Sequence, residues 1–265
     1  MLVEPEVTGA QRRSFVKVAP NGVYSPIERD VAEEVPIAIE LNGIGYAVLM
    51  ATPDHIEDLV AGFVLSERLI ERGVAIPDPA IHQPELGGLL VRLQVPQNTA
   101  ESIMQRVRHR VSNSSCGLCG IENLEQAMRP LPVVSARSSA SEEAVFAALA
   151  EIDRCQSLNG RTGAVHAAAL CHPNGRVRLV REDIGRHNAL DKLIGAMARS
   201  GAEWDEGFCL VTSRCSYELV EKAVLAECPM LVTISAPTSL AIQRAGEAGL
   251  SLRVLARRDS FLAMS

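Results

Sequence analysis

Two cysteines separated by two residues are the part of this sequence best suited to covalent chemistry. Cys116 and Cys119 lie in the segment "SNSSCGLCG", among small and polar residues. Nearby cations or a helix N-terminus lower the pKa of a thiol and so increase its nucleophilic thiolate fraction. A basic segment, residues 106–110, precedes the pair, and Gly120 is a possible helix start. The pattern is compatible with redox chemistry, sulfur transfer, metal binding or purely structural cysteines.

The surrounding sequence does not favour a zinc site or a thioredoxin-like site. Structural zinc needs four ligands, commonly supplied by a second closely spaced pair, and neither Cys171 with His172 nor Cys209 with Cys215 repeats a zinc spacing. A thioredoxin-like pair is expected at a strand-to-helix junction in a βαβ unit. Here the pair follows basic and serine-rich residues, which better suits a mobile carrier. We predict no metal site.

Composition places the chain among folded proteins that do not bind nucleic acid or membranes in general. It has 265 residues, 47% of them apolar, a formal net charge of −6 and a pI near 5.6. No apolar run approaches the ~20 residues that span a bilayer, so we expect a cytoplasmic protein. An odd number of cysteines, seven, argues against a disulfide framework. Four cysteines have apolar neighbours and are predicted to be buried: Cys155, Cys171, Cys209 and Cys228.

The N-terminal half has the pattern of a small α+β domain. Asn42 and Gly43 join two apolar runs as a hairpin turn, and a helix capped by Thr52 with Pro53 in its first turn follows. Three further predicted elements are a strand at "GLLVRLQV" and helices at "ESIMQRVRHRV" and "NLEQAM". The segment "RPLPVVSARSSAS" is typical of a connection between domains. We therefore predict one domain at 1–135 and a second at 136–265.

The second half alternates between strand and helix patterns. A hairpin is predicted from "AVHAAALC" to "RVRLVRED", followed by a helix that ends at Gly201. The later pattern is strand "GFCLVTS", helix "SYELVEKAVLAE", strand "PMLVTIS", helix "TSLAIQRAGEAG" and strand "LSLRVLA". Buried strands separated by helices predict a three-layer α/β domain with a largely parallel sheet, which the hairpin makes mixed.

Several separated motifs, in order, resemble the FdhD family of formate dehydrogenase accessory sulfurtransferases. They are "VPIAIELNGIGYAVLMATPDHIEDLVAGFVLSE", "SSCGLCG", "RTGAVHAAAL", "REDIGRHNALDKLIG", "SRCSYELVEKA" and "ISAPTSLAI". Two positions depart from the usual pattern, Ala164 and Ser213, where glycine is common in the family. The resemblance covers nearly the whole chain and is far more specific than the cysteine pair alone.

The resemblance implies a sulfur carrier required for formate dehydrogenase activity. Cys116 would accept sulfur from a cysteine desulfurase as a persulfide and transfer it to bis(molybdopterin guanine dinucleotide), a bound cargo, before that cofactor enters the catalytic subunit of formate dehydrogenase. Cys119 would assist transfer, hold sulfur itself or resolve the persulfide. The resemblance also implies a homodimer. A noncatalytic cofactor chaperone is the alternative.

The family resemblance also implies a cytidine-deaminase-like fold for the C-terminal domain. That fold raises zinc-dependent deamination as a third hypothesis. A zinc deaminase needs an H-x-E element and a P-C-x-x-C element. His166 is followed by two alanines, and Cys228 precedes Pro229 without a second spaced cysteine. The sequence therefore favours the fold without the reaction.

A guanine dinucleotide needs cations, backbone donors and small residues around it, and the second half supplies them. GDP would serve as a partial mimic of the cofactor. The predicted contacts from the central motifs are Asp183, Arg186, His187, Asn188, Arg214, Ser235, Thr238 and Ser239. The family resemblance adds the segment "LARRDS", comprising Leu255, Ala256, Arg257, Arg258, Asp259 and Ser260. Cys215, next to Arg214, is predicted to pack near a helix start rather than to react.

Overall fold

The structure, a computed structural model, describes residues 9–96 and 129–264. The predicted cysteine segment and the helices expected at 101–111 and 123–128 lie outside these residues. The strands are β1 (Ala10–Val18), β2 (Tyr24–Ala32), β3 (Val35–Leu41), β4 (Ile44–Ala51), β5 (Ala80–His82), β6 (Leu89–Leu93), β7 (His166–Cys171), β8 (Val177–Asp183), β9 (Phe208–Val211), β10 (Met230–Thr233), β11 (Ser251–Val254) and β12 (Leu262–Ala263). The helices are α1 (Ile56–Ser66), α2 (Glu142–Cys155), α3 (Ser157–Thr162), α4 (Arg186–Ser200), α5 (Tyr217–Leu225) and α6 (Ser239–Ala248).

The N-terminal half forms a hairpin and a four-stranded mixed sheet. Among the described strands β1 pairs with β2 alone, whereas the sheet has the order β4-β3-β6-β5, with β3 and β6 parallel. The predicted turn between β3 and β4 is confirmed, since Asn42 and Gly43 adopt φ values of 51° and 79°. The predicted helix start was wrong: α1 begins at Ile56 after His55, because Thr52 is buried and hydrogen-bonds to Asp183 instead of capping a helix.

Helix α1 is enclosed between the N-terminal sheet and helix α4. Leu59 and Phe63 of α1 pack with strand residues such as Ile39 in one buried cluster. On its other side α1 crosses α4 where two glycines face the opposite backbone. An added Cβ would lie 1.8 Å from Asp191 O at Gly62 and 1.8 Å from Asp58 O at Gly195. The backbones of α1 and α4 can approach this closely only because Gly62 and Gly195 have no side chains.

Alanine at Gly62 should destabilise the fold, because its Cβ would overlap backbone atoms of α4 and force the helices apart. We expect a loss of about 1–3 kcal/mol or more in the free energy of unfolding, measured by urea denaturation. Gly160→Ala in α3 is the matched control, since nothing lies within 4 Å of its added Cβ. The control should be neutral or slightly stabilising because alanine favours helix. Equal stability of Gly62→Ala and wild type would contradict this packing.

The C-terminal half is built on a six-stranded mixed sheet with the order β12-β11-β10-β9-β7-β8. β9, β10 and β11 are parallel, and the β7–β8 hairpin adds antiparallel strands on one side. The predicted hairpin, the strand–helix alternation and the end of α4 at Gly201, which has φ 70°, are confirmed. Because β9, β10 and β11 are parallel, the loops that follow them all leave the sheet at the same edge.

Helices cover both faces of this sheet. Leu170, Val211 and Leu231 face α4, α5 and α6, while Ala169, Leu210 and Val232 face α2. Successive strand residues therefore enter different cores, as expected for strands buried on both faces. The whole structure is a mixed α/β fold.

The segment before α2 has no regular secondary structure, in agreement with the predicted connection. Val134 nevertheless packs into the core of α4, α5 and α6, and its N–H donates to Ala248 O at 2.9 Å. The division into domains 1–135 and 136–265 stays a prediction. Among residues 9–96 and 129–264, no helix is both long and apolar enough to cross a membrane.

Candidate functional site

The carboxyl ends of three parallel strands meet at one edge of the six-stranded sheet. β9, β10 and β11 run in the same direction, so the segments that follow them are neighbours. The antiparallel pairing of β7 with β8 and β9 brings His166 and Asp183, which are partners across the hairpin, to the same edge. We call this region the carboxyl edge, comprising His166, Asp183 and the segments 212–216, 234–238 and 255–260. Every residue predicted to contact the cofactor lies here or in the first turn of an adjoining helix.

Three helices begin at the carboxyl edge. α4, α5 and α6 start directly after β8, β9 and β10, at Arg186, Tyr217 and Ser239. Their N-terminal N–H groups and helix dipoles favour negative charge at this edge. Arg186 adds a cation whose Nε atom is buried and has no hydrogen-bond partner among the described residues. A buried donor without a partner costs free energy, so the site suits an anionic ligand that would accept this hydrogen bond.

Two histidines lie beside Arg186. His187 Nε2 is 2.8 Å from a Glu218 carboxylate oxygen and 3.4 Å from Ser216 Oγ. The hydrogen bond from His187 lowers the pKa of Glu218, so the carboxylate stays ionised. Burial, together with the nearby Arg186 guanidinium, lowers the pKa of His166. His166 is therefore a neutral hydrogen-bonding group near neutral pH rather than a fixed cation.

Backbone hydrogen bonds join the segments after β9 and β10. Cys215 N donates to Ala236 O at 3.2 Å, and Thr238 N donates to Cys215 O at 3.0 Å. The Thr238 hydroxyl accepts from Ala241 N at 3.2 Å and caps α6. Burial raises the pKa of the Cys215 thiol to about 12, so this thiol is protonated and unreactive at neutral pH. The prediction that Cys215 packs near a helix start is confirmed.

The segment 255–260 leaves β11 at the same edge. Leu255 has φ 50°, an uncommon conformation for leucine, and its N–H donates to Ser235 O at 3.2 Å. Ala256 is buried, whereas residues 257–260 are exposed. Arg258 is paired with Asp153 at 2.7 Å, whereas the Arg257 side chain extends into solvent near the carboxyl edge. The structure thus offers Arg257 as the more readily available cation of the two.

Asp183 and Asn188 differ from the other predicted contacts because both are buried. Asp183 Oδ2 accepts from Thr52 N at 3.0 Å and pairs with Lys192 Nζ at 2.8 Å. Its Oδ1 accepts from Gly185 N at 2.8 Å and from Asn188 Nδ2 at 3.0 Å. Both carboxylate oxygens therefore already bind protein donors. Direct contact of Asp183 with a cofactor stays a prediction, and the geometry favours an indirect role.

A cavity of about 730 Å³ lies away from the carboxyl edge, beside the C-terminal ends of α4 and α5. Its walls include Met197, Trp204 and Leu225, and its floor includes Lys222. Lys222 is already paired with Asp191 at 2.8 Å. None of the predicted cofactor residues lines it, so we place the candidate site at the carboxyl edge, where three helices begin and where Arg186 Nε has no hydrogen-bond partner among the described residues.

The remaining cysteines are structural. Cys171, Cys209 and Cys228 are buried as predicted, but the prediction was wrong for Cys155, which lies at the end of α2 and is only half-buried. Burial raises the pKa of Cys155 and, more strongly, that of Cys171. Among the described residues, no group of three or more His, Cys, Asp or Glu side chains is arranged to hold a metal ion.

Sequence reasoning missed four side chains that organise this edge. They are Thr52, His166, Lys192 and Glu218. The sequence pointed to Glu218, because an acidic residue in the first turn of a predicted helix is a recognisable pattern. In the structure this turn lies beside two basic residues of α4. Thr52 had no such signal, since its partners Asp183 and Lys192 lie 131 and 140 residues away along the chain.

Comparison with known proteins identifies the family. Residues 32–265 match the FdhD/NarQ family. A protein of Xanthomonas euvesicatoria named "Sulfur carrier protein FdhD" is 43% identical over 236 residues, which cover 89% of this chain and 84% of the relative. A Variovorax paradoxus protein of the same name is 44% identical over 233 residues, covering 88% of this chain and 83% of the relative. The crystal structure of a formate dehydrogenase accessory protein from Desulfotalea psychrophila superposes with a TM-score of 0.71 at 22% identity, covering 96% of both chains, and so shares the fold. The chain belongs to the FdhD/NarQ family.

Proposed function

We propose that this protein is a sulfurtransferase that carries sulfur from a cysteine desulfurase to bis(molybdopterin guanine dinucleotide) before the cofactor enters formate dehydrogenase. The Cys116 thiolate attacks the terminal sulfur of the desulfurase persulfide. The S–S bond to the donor cysteine breaks, the donor leaves as a thiolate, and Cys116 retains the persulfide. Its terminal sulfur is delivered to the cofactor at the sulfide level when a second thiol attacks Cys116 Sγ, which breaks the S–S bond and leaves a disulfide that includes Cys116. The relatives named as sulfur carriers and the Cys116–Cys119 pair support this chemistry.

The observation that carries the cargo assignment is the arrangement of the carboxyl edge. Separate stretches of sequence converge there with three helix starts and with Arg186 Nε, a buried donor that has no partner in residues 9–96 or 129–264. An anion with several oxygen atoms, such as a nucleotide diphosphate, would accept hydrogen bonds from these donors. The exposed Thr238 and Ser239 and the exposed Arg214 supply further donors. We infer that the guanine nucleotide part of the cofactor binds at the carboxyl edge, in a domain with a cytidine-deaminase-like layout.

The roles of Cys119 and of assembly follow from the same proposal. Cys119 assists transfer, holds sulfur or resolves the persulfide through thiol exchange. The partners are a cysteine desulfurase and the catalytic subunit of formate dehydrogenase, and the protein acts as a cytoplasmic homodimer. If it is instead a noncatalytic chaperone, it will bind the cofactor but acquire no persulfide when incubated with the desulfurase and cysteine.

GDP should bind to the purified protein and compete with the full cofactor. Arg257→Ala should weaken GDP binding by roughly 1.5–3 kcal/mol, or about 10- to 150-fold, through loss of a charge-assisted hydrogen bond. Arg258→Ala should have a smaller effect because Arg258 is already paired with Asp153. Isothermal titration calorimetry measures both, with Arg12→Ala on the exposed strand β1 as the control. Unchanged affinity in both C-terminal variants would reject a phosphate contact by this segment.

A further inference from the structure

A buried charge cluster, which includes Asp183 of the carboxyl edge, joins the two halves of the chain. We define it as Thr52, Asp54, Asp183 and Lys192. Lys192 Nζ lies 2.8 Å from Asp183 Oδ2, 2.8 Å from Asp54 Oδ1 and 2.6 Å from Thr52 Oγ1. Asp183 and Lys192 have no exposed surface. Charges taken out of water tolerate few alternative arrangements, so this cluster fixes the relative position of its members.

The second oxygen of Asp183 connects the cluster to the start of α4. Asp183 Oδ1 accepts from the N–H of Gly185 at 2.8 Å, and Gly185 is the residue that precedes the helix. Asn188 Nδ2 donates both to this oxygen, at 3.0 Å, and to Met50 O in the N-terminal half, at 2.8 Å. The backbone that leads into Arg186 is therefore held by Asp183 on one side and by the N-terminal half on the other.

Arg186 depends on this backbone for its orientation. Its Nε has no hydrogen-bond partner in residues 9–96 or 129–264, so at this atom no protein acceptor fixes the direction of the guanidinium. The side chain next to it, His187, is held separately by Glu218. The direction in which α4 begins, set by the Asp183–Gly185 hydrogen bond, consequently decides where Arg186 points.

We propose that Asp183 is a positioning residue: through Gly185 it holds Arg186 in the orientation that binds the phosphates of the nucleotide. Through Lys192 and Thr52 it also ties that orientation to the N-terminal half of the chain. This inference rests on the proposed nucleotide site and assigns to Asp183 an indirect role in it. Asp183 contributes no ligand contact of its own, since both of its oxygens bind protein donors.

Asp183→Asn tests the proposal because an amide has one acceptor oxygen where the carboxylate has two. The amide oxygen is expected to face the Lys192 ammonium and Thr52 N–H, so the NH₂ group faces Gly185 N–H and the helix start shifts. We expect GDP affinity, measured by calorimetry on the folded full-length protein, to fall roughly tenfold. Asp54→Asn is the matched control, because it removes a carboxylate from the same lysine without touching Gly185. Its GDP affinity should match wild type.

A double-mutant cycle with Arg186→Ala distinguishes positioning from general damage to the fold. Arg186→Ala should weaken GDP binding about tenfold or more, and Asp183→Asn combined with Arg186→Ala should bind no more weakly than Arg186→Ala alone. Fully additive losses would overturn the inference, as would wild-type affinity in Asp183→Asn or in Arg186→Ala. Failure of the wild-type protein to bind GDP would reject the proposed nucleotide site itself. If Asp183→Asn does not fold, Asp183→Asn with Lys192→Met removes both buried charges and gives the same comparison.

Discussion

Replacing Cys116 with alanine is expected to abolish sulfur delivery to formate dehydrogenase. Alanine has no sulfur on which a persulfide can form, so the proposed transfer has no carrier. Formate dehydrogenase activity in cells that rely on this variant should fall to the level seen without the protein. GDP affinity should remain at the wild-type value, because the proposed nucleotide site lies at the carboxyl edge.

Cys155→Ala is the matched control for the Cys116 substitution. Cys155 is a half-buried cysteine at the end of α2, and burial raises the pKa of its thiol, which disfavours the reactive thiolate. This variant should support wild-type formate dehydrogenase activity. Sulfur delivery at the parental rate by a folded Cys116→Ala protein would remove the carrier role from Cys116. Cys119→Ala should reduce delivery, since each of the three proposed roles of Cys119 contributes to transfer.

Replacing Lys192 with methionine should produce the largest loss of stability in this protein. The substitution removes the positive charge from the buried cluster and leaves Asp183 desolvated without its ion-pair partner. We expect the free energy of unfolding to decrease by roughly 3–5 kcal/mol, measured by urea denaturation. The Lys192 ammonium also lowers the pKa of Asp54 despite the opposing effect of burial. That carboxylate would lose its main partner as well.

Two comparisons isolate the buried charge as the cause. Lys17→Met, on the exposed strand β1, makes the same chemical change and should alter stability by no more than about 0.5 kcal/mol. Adding Asp183→Asn to Lys192→Met removes the uncompensated charge and should recover part of the lost stability. A Lys192→Met protein as stable as wild type would contradict the cluster as the structure describes it.

The C-terminal fold was predictable because its local patterns agree with its tertiary structure. Apolar runs such as "FCLV" and "MLVT" become strands buried on both faces, and Gly201 ends α4 in the left-handed conformation expected of a helix-terminating glycine. Helix α2 also carried signals that were overlooked: Ser141 accepts from Ala144 N, and two glutamates occupy the first turn. The β1–β2 hairpin was harder to recognise, because both of its faces are largely exposed and the usual apolar alternation is absent.

The structure places the predicted cofactor residues along one edge of the sheet, while their roles in binding stay predictions. Arg214 and Ser235 lie at one edge because both follow buried parallel strands, and the segment 255–260, which only the family resemblance suggested, follows the neighbouring parallel strand β11. Burial of Asp183 could not be foreseen, because it depends on Thr52 reaching it from the other half of the chain. The same contact explains the error at the start of α1, where Thr52 has the local sequence of a helix cap but a tertiary partner.

The most direct test of the central claim is to locate sulfur on the protein after incubation with a cysteine desulfurase and cysteine. Mass spectrometry of the intact protein should show a gain of one sulfur atom that requires active desulfurase and is removed by a reducing agent. Peptide analysis should place that sulfur on Cys116 in the wild-type protein and in Cys155→Ala, and find none at this position in Cys116→Ala. Absence of desulfurase-dependent sulfur from the Cys116–Cys119 segment, in protein that still binds GDP, would contradict the carrier mechanism and favour a cofactor chaperone.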